Sequence, residues 1–457
     1  MYIATNWDPI YWNTACLIVN SGSLEEDSDF EEDDETGEVI QKKEKTTDYA
    51  KIAKALGDII SKGIKVSLVD INKSSYSFKP DAENNQILFG MKALGGLNGD
   101  TINQIISNRP YKNIADFMNK CPLNKTAMIS LIKSGAFDKT AEEWSKETGK
   151  EPRILVMAYY LSKTCEPKKR ITLQNFNGLI QNDLLPKELD FEKRVFNFNK
   201  YLKAEKKVGK YYVFDNICEQ FYNMFFDLEK LDIINGLTCI LQTKWDKIYQ
   251  DVMDSAREWI KKHHDEILEK YNTLLFTEAW NKYAKGSISS WEMESLCFYY
   301  HDHELKNVNT HKYGIVDFFD LPTEPEVDYF FKRNGKEIPI YKTFKIIGTV
   351  INKNDARSSI TLLTTSGVVS VKFTRDYFAM FNKQISEKQE DGTKKVLEKG
   401  WFQRGIKVMI TGFRRDDQMV AKTYSKTVTH QIYKITDVLP NGELVLEHER
   451  KGVVDND

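Results

Sequence analysis

The sequence has few cysteines and no pair of them at short spacing. Its six cysteines are scattered without a Cys-x-x-Cys pair, which argues for a reducing compartment and against a structural zinc site. No apolar run reaches the roughly 18 residues that span a bilayer, and no basic segment followed by an apolar one opens the chain. These absences predict a cytoplasmic protein that does not contact a membrane.

Signatures of catalysis are missing as well. The only Asp-x-Asp, Asp27-Ser28-Asp29, lies in an acidic run without an apolar strand to hold it, and we expect no catalytic role for it. The chain has no Walker loop, nucleophile elbow or cluster of metal ligands. His301 and His303 form a His-x-His pair, but no third ligand lies nearby in the sequence. The sequence therefore predicts no catalytic residue, no metal site and no cofactor in this chain.

The formal net charge of −2 conceals a strong asymmetry. Residues 25–38, EEDSDFEEDDETGE, hold ten acids and no base, so the rest of the chain carries a formal charge of about +8. A basic body of this kind is compatible with nucleic-acid binding. We interpret residues 22–47 as a solvated, disordered acidic loop, and the alternative for this loop is electrostatic mimicry of DNA.

Residues 81–140 have the pattern of a DNA-binding helix-hairpin-helix. A strand-like run at 87–89 leads into a glycine-rich turn at 95–99, a helix follows, and a second helical stretch ends at Gly135. Two helices joined through a glycine turn aim several backbone N–H groups at one phosphate, because a helix N-terminus leaves donors unpaired. The residues predicted to hold phosphate through backbone and hydroxyl groups are Gly96, Asn98, Gly99 and Thr101.

From residue 341 onward the pattern changes to five short β segments, with a helix predicted at 376–386 after the third. The segments cover 344–354, 359–367, 368–374, 406–415 and 419–425. Five strands with a helix between the third and the fourth predict an OB-fold, a barrel whose exposed face binds single strands. Its predicted DNA-binding residues are Lys353, Arg357, Lys372, Phe373, Arg375 and Arg414.

The middle of the chain, residues 141–290, is predicted to be a helical region without a diagnostic motif. Basic and aromatic residues alternate between Phe191 and Tyr212, which favours either single-strand binding or a surface helix with its rings in the core. The predicted fold class of the whole chain is multidomain α+β. Its N-terminal and middle regions are mainly helical, and an OB-fold β-barrel ends it.

Three segments of the hairpin region carry a resemblance to a known family. They are ILFGMKALGGL at 87–97, IADFMNKC at 114–121 and LNKTAMISLIKSGAFD at 123–138, and further matches lie at 70–78 and 291–305. On these residues the chain resembles the C-terminal part of the bacterial C-family DNA polymerase III alpha subunits, as a split or phage-encoded version. The family usually has glycine where Asn98 stands here. We expect asparagine to preserve the turn because it tolerates left-handed backbone.

The resemblance implies that this chain carries DNA-binding domains and that a separate chain carries the catalytic one. Residues 1–80 would be a remnant of the distal fingers, and residues 291–340 a helix and connector to the OB-fold domain at 341–457. The catalytic aspartates and their Mg²⁺ would belong to a palm domain supplied by a separate chain. The family also carries a sliding-clamp-binding peptide between hairpin and OB-fold, in which an apolar pair enters a clamp pocket. The residues predicted for it are Gln181, Leu184 and Leu185.

On this basis we predict the C-terminal portion of a replicative DNA polymerase, which binds primer–template DNA and a sliding clamp. A stand-alone protein of replication or repair, with the same helix-hairpin-helix and OB-fold, is the alternative. An enzyme with a diverged active site is disfavoured, because the chain lacks clustered carboxylates. Co-purification of a palm-bearing chain distinguishes the first two readings.

Overall fold

The computed structural model describes residues 8–23, 30–32, 39–41, 47–204, 207–227, 231–388, 394–422 and 432–447. They divide into two compact units. The first combines Met1–Met157 with Gly286–Asp457, and the second is Ala158–Lys285. Within the described ranges, no helix is both long and apolar enough to cross a membrane.

The first unit begins with two helices that pack on each other, α1 (Pro9–Ser21) and α2 (Tyr49–Ser61). Both start at an aspartate N-cap: Asp8 accepts a hydrogen bond from the Ile10 N–H, and Asp48 accepts one from the Lys51 N–H. Of the predicted acidic loop, the structure describes two short antiparallel strands, β1 (Phe30–Glu32) and β2 (Val39–Gln41). The remainder of residues 25–38, with Asp27 and Asp29, lies outside the described residues.

The helix-hairpin-helix part of the chain, residues 63–138, follows as a small sheet and three short helices and is called the hairpin region below. Its elements are β3 (Lys65–Val66), β4 (Lys79–Asp81), β5 (Gln86–Leu88), α3 (Gly99–Ser107), α4 (Ile114–Lys120) and α5 (Lys125–Lys133). The strand order is β3-β5-β4, with β3 parallel and β4 antiparallel to β5. Each helix begins at an asparagine whose side chain accepts a hydrogen bond from the N–H three residues later, which satisfies one of the unpaired donors. The rings of Tyr111, Phe117 and Phe137 pack edge to face in the core between the helices.

Helices also surround a small sheet in the second unit, and the predicted helical region is therefore not entirely helical. Before this unit, α6 (Glu142–Thr148) still belongs to the first unit, and the boundary between the units falls within α7 (Pro152–Thr164). The elements of the second unit after α7 are α8 (Phe176–Gln181), α9 (Asp190–Ala204), β6 (Lys207–Val208), β7 (Tyr211–Val213), α10 (Asn216–Phe225), β8 (Asp232–Ile234), β9 (Leu237–Leu241), α11 (Gln242–Lys262) and α12 (His264–Tyr283). The sheet is antiparallel in the order β6-β7-β9-β8. Phe198 and Tyr212 are buried with Trp245, so these two rings of the basic–aromatic stretch belong to the core.

The chain then returns to the first unit through α13 (Ile288–Leu296) and the single-turn helix α14 (Thr310–Tyr313). Helix α13 packs on α5 of the hairpin region. A β-hairpin, β10 (Val327–Arg333) and β11 (Lys336–Tyr341), follows. This hairpin is not among the predicted elements, although Asn334-Gly335 between its strands is a strong turn signal. Both residues have positive φ, as a two-residue hairpin turn requires.

A closed five-stranded barrel completes the fold, as the OB-fold prediction required. The strands β12 (Phe344–Asn354), β13 (Ser359–Leu363), β14 (Val368–Lys372), β18 (Gln418–Ala421) and β17 (Lys407–Arg415) pair in that order, and β12 also pairs with β17, which closes the barrel. The helix α15 (Arg375–Asn382) lies between β14 and β17. It ends earlier than predicted, because residue 385 already begins a strand. The remaining strands are β15 (Ile385–Lys388), β16 (Lys394–Glu398), β19 (Ile432–Val438) and β20 (Leu444–Glu447).

Part of the outer surface of the barrel is covered by the protein itself. A β-bulge in β12 lies between Val350 and Asn352, and Ile351 at this point is fully buried. Ile351 and Leu363 pack with Ala53 of α2 and with Met293 of α13. This side of the barrel is therefore an internal joint, and it is closed to a single strand of DNA.

Candidate nucleic-acid interface

The glycine turn before α3 has the geometry of a helix entry. Gly96 has a φ of +84°, so the left-handed residue of the turn is a glycine. Asn98 has a φ of −98° and a ψ of 169°, and its side chain accepts a hydrogen bond from the Thr101 N–H at 2.9 Å. The turn is present with asparagine at this position, but its left-handed residue is Gly96, so the tolerance of asparagine for left-handed backbone is not used. Asparagine serves here as the N-cap, and Gly99 is the first helical residue.

This entry presents a row of backbone donors to the surface. Within the described part of the chain, the N–H groups of Gly96, Asn98, Gly99 and Asp100 have no hydrogen-bond acceptor. The side chains of Asn98 and Asp100 are exposed, so the row is open to solvent. The positive end of the helix dipole adds to the attraction for an anion at this place. The negative charge of Asp100, in the first turn of α3, weakens this attraction.

The turn is held in position by α5. The hydroxyl of Ser130 donates a hydrogen bond to the carbonyl of Gly95, and the Gly95 N–H donates one to the carbonyl of Ser295 at 3.3 Å. A methyl group at Gly96 would lie 3.4 Å from Cγ2 of Thr126, so the turn packs tightly on the start of α5. Fixed donors lose little conformational entropy when an anion binds them.

Residues 134–138, SGAFD, which end the longest matching motif, lie at a buried contact between the hairpin region and α13. Nε of Arg153 donates a hydrogen bond to Asp138 at 2.8 Å, and its Nη1 donates one to Glu292 of α13 at 2.8 Å. Glu292 also accepts hydrogen bonds from the backbone N–H groups of Tyr300 and His301. Burial raises the pKa of Asp138 to about 6, and Arg153 beside it only partly offsets this. Arg153 is not among the predicted residues, because no local sequence pattern marks it.

His303 is a structural residue as well. Its Nδ1 accepts a hydrogen bond from the Leu305 N–H, which makes Nε2 the protonated nitrogen, and Nε2 donates to the carbonyl of Leu363 at 3.1 Å. Burial lowers the pKa of His303 to about 4. His301 bonds to Glu292, so the two histidines have separate partners. Among the described residues, no three histidine, cysteine or acidic side chains come together as a metal site.

Four of the basic residues predicted for the barrel gather at one end of it. Lys353 lies next to the turn from β12 to β13, and its Nζ donates a hydrogen bond to Asn382 at 2.7 Å. Nζ of Lys372 donates to the backbone carbonyl of Arg357 in that turn, and Arg375 begins α15 nearby. All four side chains are exposed. They form a basic cluster, defined here as Lys353, Arg357, Lys372 and Arg375.

Two other residues predicted for the DNA face do not belong to it. Phe373 is only 3% exposed and packs against Phe402 and Phe378 inside the barrel, so its ring cannot stack on a base. The guanidinium of Arg414 donates to the carbonyls of Leu321 and Asp416, both at 2.8 Å, and lies 4.7 Å from the ring centre of Phe318. Arg414 therefore attaches the preceding segment to the barrel, and the prediction for both residues is corrected.

The proposed clamp-binding peptide is part of a folded core. Gln181 ends α8, and the backbone turns at Asp183, which has a φ of +51°. Leu185 is 7% exposed and packs in the core of the second unit, with Leu184 packed against the same core. An anchor for a clamp must be extended and accessible. The structure therefore corrects the assignment of Gln181, Leu184 and Leu185.

Comparison with known proteins agrees with the motifs. A family described as "Helix-hairpin-helix motif" matches residues 63–146. The "Probable DNA polymerase YorL" of Bacillus subtilis (strain 168) and a "DNA-directed DNA polymerase" of Bacillus phage SPbeta are each 38% identical over 97% of this chain. The "DNA polymerase III subunit alpha" of Thermus aquaticus is 35% identical over 98 residues, which are 20% of this chain and 8% of that protein.

The chain spans a third (33%) of the length of the Bacillus and phage relatives that it matches. The match to the polymerase III alpha subunit is shorter, and it is joined by a match at 36% identity to the corresponding subunit of Deinococcus radiodurans. The resemblance that the motifs predict is confirmed: over almost its whole length this chain is similar to DNA polymerases, and in part to the polymerase III alpha subunits.

Proposed function

We propose that this chain binds primer–template DNA as the C-terminal, DNA-holding portion of a replicative DNA polymerase. The observation that carries the proposal is the row of unbonded N–H groups from Gly96 to Asp100, fixed on α5 at the start of α3. Such donors bind a phosphate irrespective of base sequence. The basic cluster of the barrel supplies a second charged contact, suited to the phosphates of the template strand.

The catalytic step belongs to a palm domain outside these 457 residues. We propose that a separate chain supplies the palm aspartates and the Mg²⁺ that they hold, because the described residues bring together no set of carboxylates for two-metal chemistry. Affinity purification from the native host tests this. A stoichiometric partner with an Asp-x-Asp palm, and primer extension by the pair, is the expected result. Recovery of the chain with DNA alone favours the stand-alone binding protein.

A single backbone donor can be removed to test the phosphate contact. Proline is favoured at the first helical position, and Asn98 already has the extended backbone that a following proline requires. Gly99→Pro therefore deletes one N–H while the helix is retained. We expect its affinity for duplex DNA to fall about tenfold or more, since a hydrogen bond to a charged group contributes about 1.5–3 kcal/mol. Fluorescence anisotropy with a labelled duplex measures the loss.

The matched control is Gly99→Ala, which keeps the N–H and adds a methyl group. It should bind the duplex as the unchanged protein does, and neither variant should be less stable to heat than the unchanged protein, because both restrict the unfolded chain more than glycine does. Equal affinity of Gly99→Pro and Gly99→Ala would contradict the phosphate contact. The dependence on salt provides a second check, because contacts to phosphate release counterions: a shallow slope of log affinity against log salt argues against the proposal.

A sliding clamp stays a proposed partner of the assembled polymerase. Its contact is not assigned to Gln181, Leu184 or Leu185, since Leu185 is buried in the core of the second unit. Gln181→Ala tests this without disturbing the core, because the side chain of Gln181 is exposed. Clamp binding that is unchanged in this variant agrees with the corrected assignment, and its loss would restore the original one.

A further inference from the structure

The β10–β11 hairpin exposes an unusual number of large apolar side chains. Every residue of β10 is exposed, including Tyr329 at 57%, Phe330 at 59% and Phe331 at 51%. A two-stranded hairpin has no second layer to bury its faces, so these rings stay in water unless a ligand or partner covers them. The function proposed above does not use them.

The pairing register sorts the hairpin into two chemically different faces. Tyr329 pairs with Ile340, Phe331 with Ile338, and Arg333 with Lys336, and these three pairs share one face because side chains alternate along a strand. We call these six residues the aromatic–basic face. It carries two rings, two isoleucines and two bases, and none of the six is acidic.

The opposite face has a different composition. It carries Phe330 opposite Pro339 and Lys332 opposite Glu337. Lys332 and Glu337 form an ion pair at 3.3 Å, so the charges of this face neutralise each other. Within the part of the chain that the structure describes, the bases of this hairpin without an ion pair are Arg333 and Lys336, which lie on the aromatic–basic face at the tip.

The hairpin is fixed at its base to the barrel. The rings of Tyr341 and Phe413 of β17 lie 4.8 Å apart, and the guanidinium of Arg415 lies 5.8 Å and 5.6 Å from their centres. The N–H of Lys342 donates a hydrogen bond to the carbonyl of Glu326 at 2.9 Å, which closes the two strands. The rings above this base are thus presented on an anchored element.

We propose that the aromatic–basic face binds unpaired single-stranded DNA. The rings of Tyr329 and Phe331, about 7 Å apart along the strand, stack on bases, and Arg333 and Lys336 bind the flanking phosphates. Two stacking rings beside two basic side chains suit single-stranded DNA, which is a polyanion with exposed nucleobase rings. A protein partner would have to supply acidic residues opposite the tip. The inference rests on the proposed DNA-binding function, and it adds a single-strand site separate from the phosphate contact at α3.

The experiment compares one face of the hairpin with the other in the full chain. A double variant, Tyr329→Ser with Phe331→Ser, removes both rings from the aromatic–basic face. Phe330→Ser is the matched control, because it removes an equally exposed ring from the opposite face of the same strand. Fluorescence anisotropy with a labelled oligothymidylate and with a labelled duplex measures both affinities, and thermal unfolding verifies that the variants stay folded.

We expect the double variant to lose about tenfold or more in affinity for oligothymidylate, as two lost stacking contacts imply, and to bind the duplex normally. Phe330→Ser should change neither affinity. Arg333→Gln with Lys336→Gln should reduce the salt slope of single-strand binding by about 1.4, which is about 0.7 for each lost phosphate contact. Equal single-strand affinity of the double variant and Phe330→Ser overturns the inference. Failure of the unchanged protein to bind either DNA overturns the proposed function itself.

Photochemical crosslinking of the unchanged protein to oligothymidylate provides a positive readout. Mass spectrometry of the digested complex should find the crosslinked base on the peptide that contains Tyr329 and Phe331. Crosslinks confined to other peptides, with none in the hairpin, would overturn the inference even if the affinity of the double variant fell.

Discussion

Two parts of the first unit are held together by opposite kinds of chemistry. The barrel core is apolar and aromatic, with Trp401 and Phe402 buried among phenylalanine and aliphatic side chains. The joint between the hairpin region and α13 is built on charges, those of the buried Arg153 and Glu292 and of the half-buried Asp138. An apolar core distributes its stability over many similar contacts, whereas a buried ion network depends on each member because every remaining charge must keep a partner.

The largest difference between the two parts should follow from removing one buried charge. Arg153→Met leaves Glu292 and Asp138 without their cation, and we expect it to lower the free energy of unfolding by about 3–5 kcal/mol. Ile410→Val in the barrel core removes one methylene and should cost about 1 kcal/mol. Urea denaturation measures both.

An exposed ion pair supplies the control for charge alone. Lys146 and Glu142 form a surface pair within α6, and Lys146→Met should leave stability unchanged, because water screens such pairs. If Arg153→Met were no more destabilising than Lys146→Met, the distinction between the joint and the barrel would disappear.

A smaller loss of stability should follow from adding a methyl group next to Arg153, at Gly135. Gly135 has a φ of +84°, and a methyl group there would lie 2.7 Å from Nη2 of Arg153. Gly149 has a φ of +67° with no atom within 4 Å of the same methyl position. Both Gly→Ala changes cost about 1–2 kcal/mol in backbone strain. We expect Gly135→Ala to cost about 1–2 kcal/mol more, since a close contact must also be relieved.

Thermal unfolding of Gly135→Ala and Gly149→Ala under the same conditions tests this difference. Since the backbone strain is similar at the two glycines, the excess cost of Gly135→Ala reports the packing of the joint. Equal melting temperatures for the two variants would show that Arg153 moves aside freely, and that the joint is looser than its contacts indicate.

The smallest effect concerns pH. Because the folded protein keeps His303 neutral with a pKa of about 4, against an ordinary value of 6.5, the unfolded chain takes up a proton that the folded chain does not. Stability from this group is present above pH 6.5 and is lost as the pH falls toward 4. His303→Asn has no proton to gain, so its melting temperature should fall less between pH 7 and pH 5 than that of the unchanged protein. Parallel pH profiles would contradict this role.

The two parts also differ in how far the sequence predicts them. Alternating apolar residues in short segments predict the barrel almost strand by strand, because a half-buried strand repeats every two residues. Tertiary packing decides which residues on the outside of the barrel stay exposed to solvent, and a strand pattern does not show it. For this reason the predicted DNA face includes Phe373, whose ring is buried, and the sequence pattern does not predict the cover that α2 provides over Ile351 and Leu363.

In the hairpin region the sequence motif predicts where a phosphate binds, but it does not predict which atoms bind it. The glycine turn and the asparagine caps are local features, and they predict the helix starts. The donors that face solvent belong to the backbone and have no residue signature of their own. Arg153 lies 139 residues before its partner Glu292, and no periodicity connects two positions so far apart.

That separation sets an order of events on the ribosome. At roughly 5–20 residues per second, Glu292 is made roughly 7 to 30 seconds after Arg153, and the whole second unit is synthesised in between. The second unit is therefore synthesised before the C-terminal part of the first unit. Arg153 has its first partner, Asp138, from the start, but its second partner, Glu292, is added only with α13, so the contact between the hairpin region and α13 is completed last.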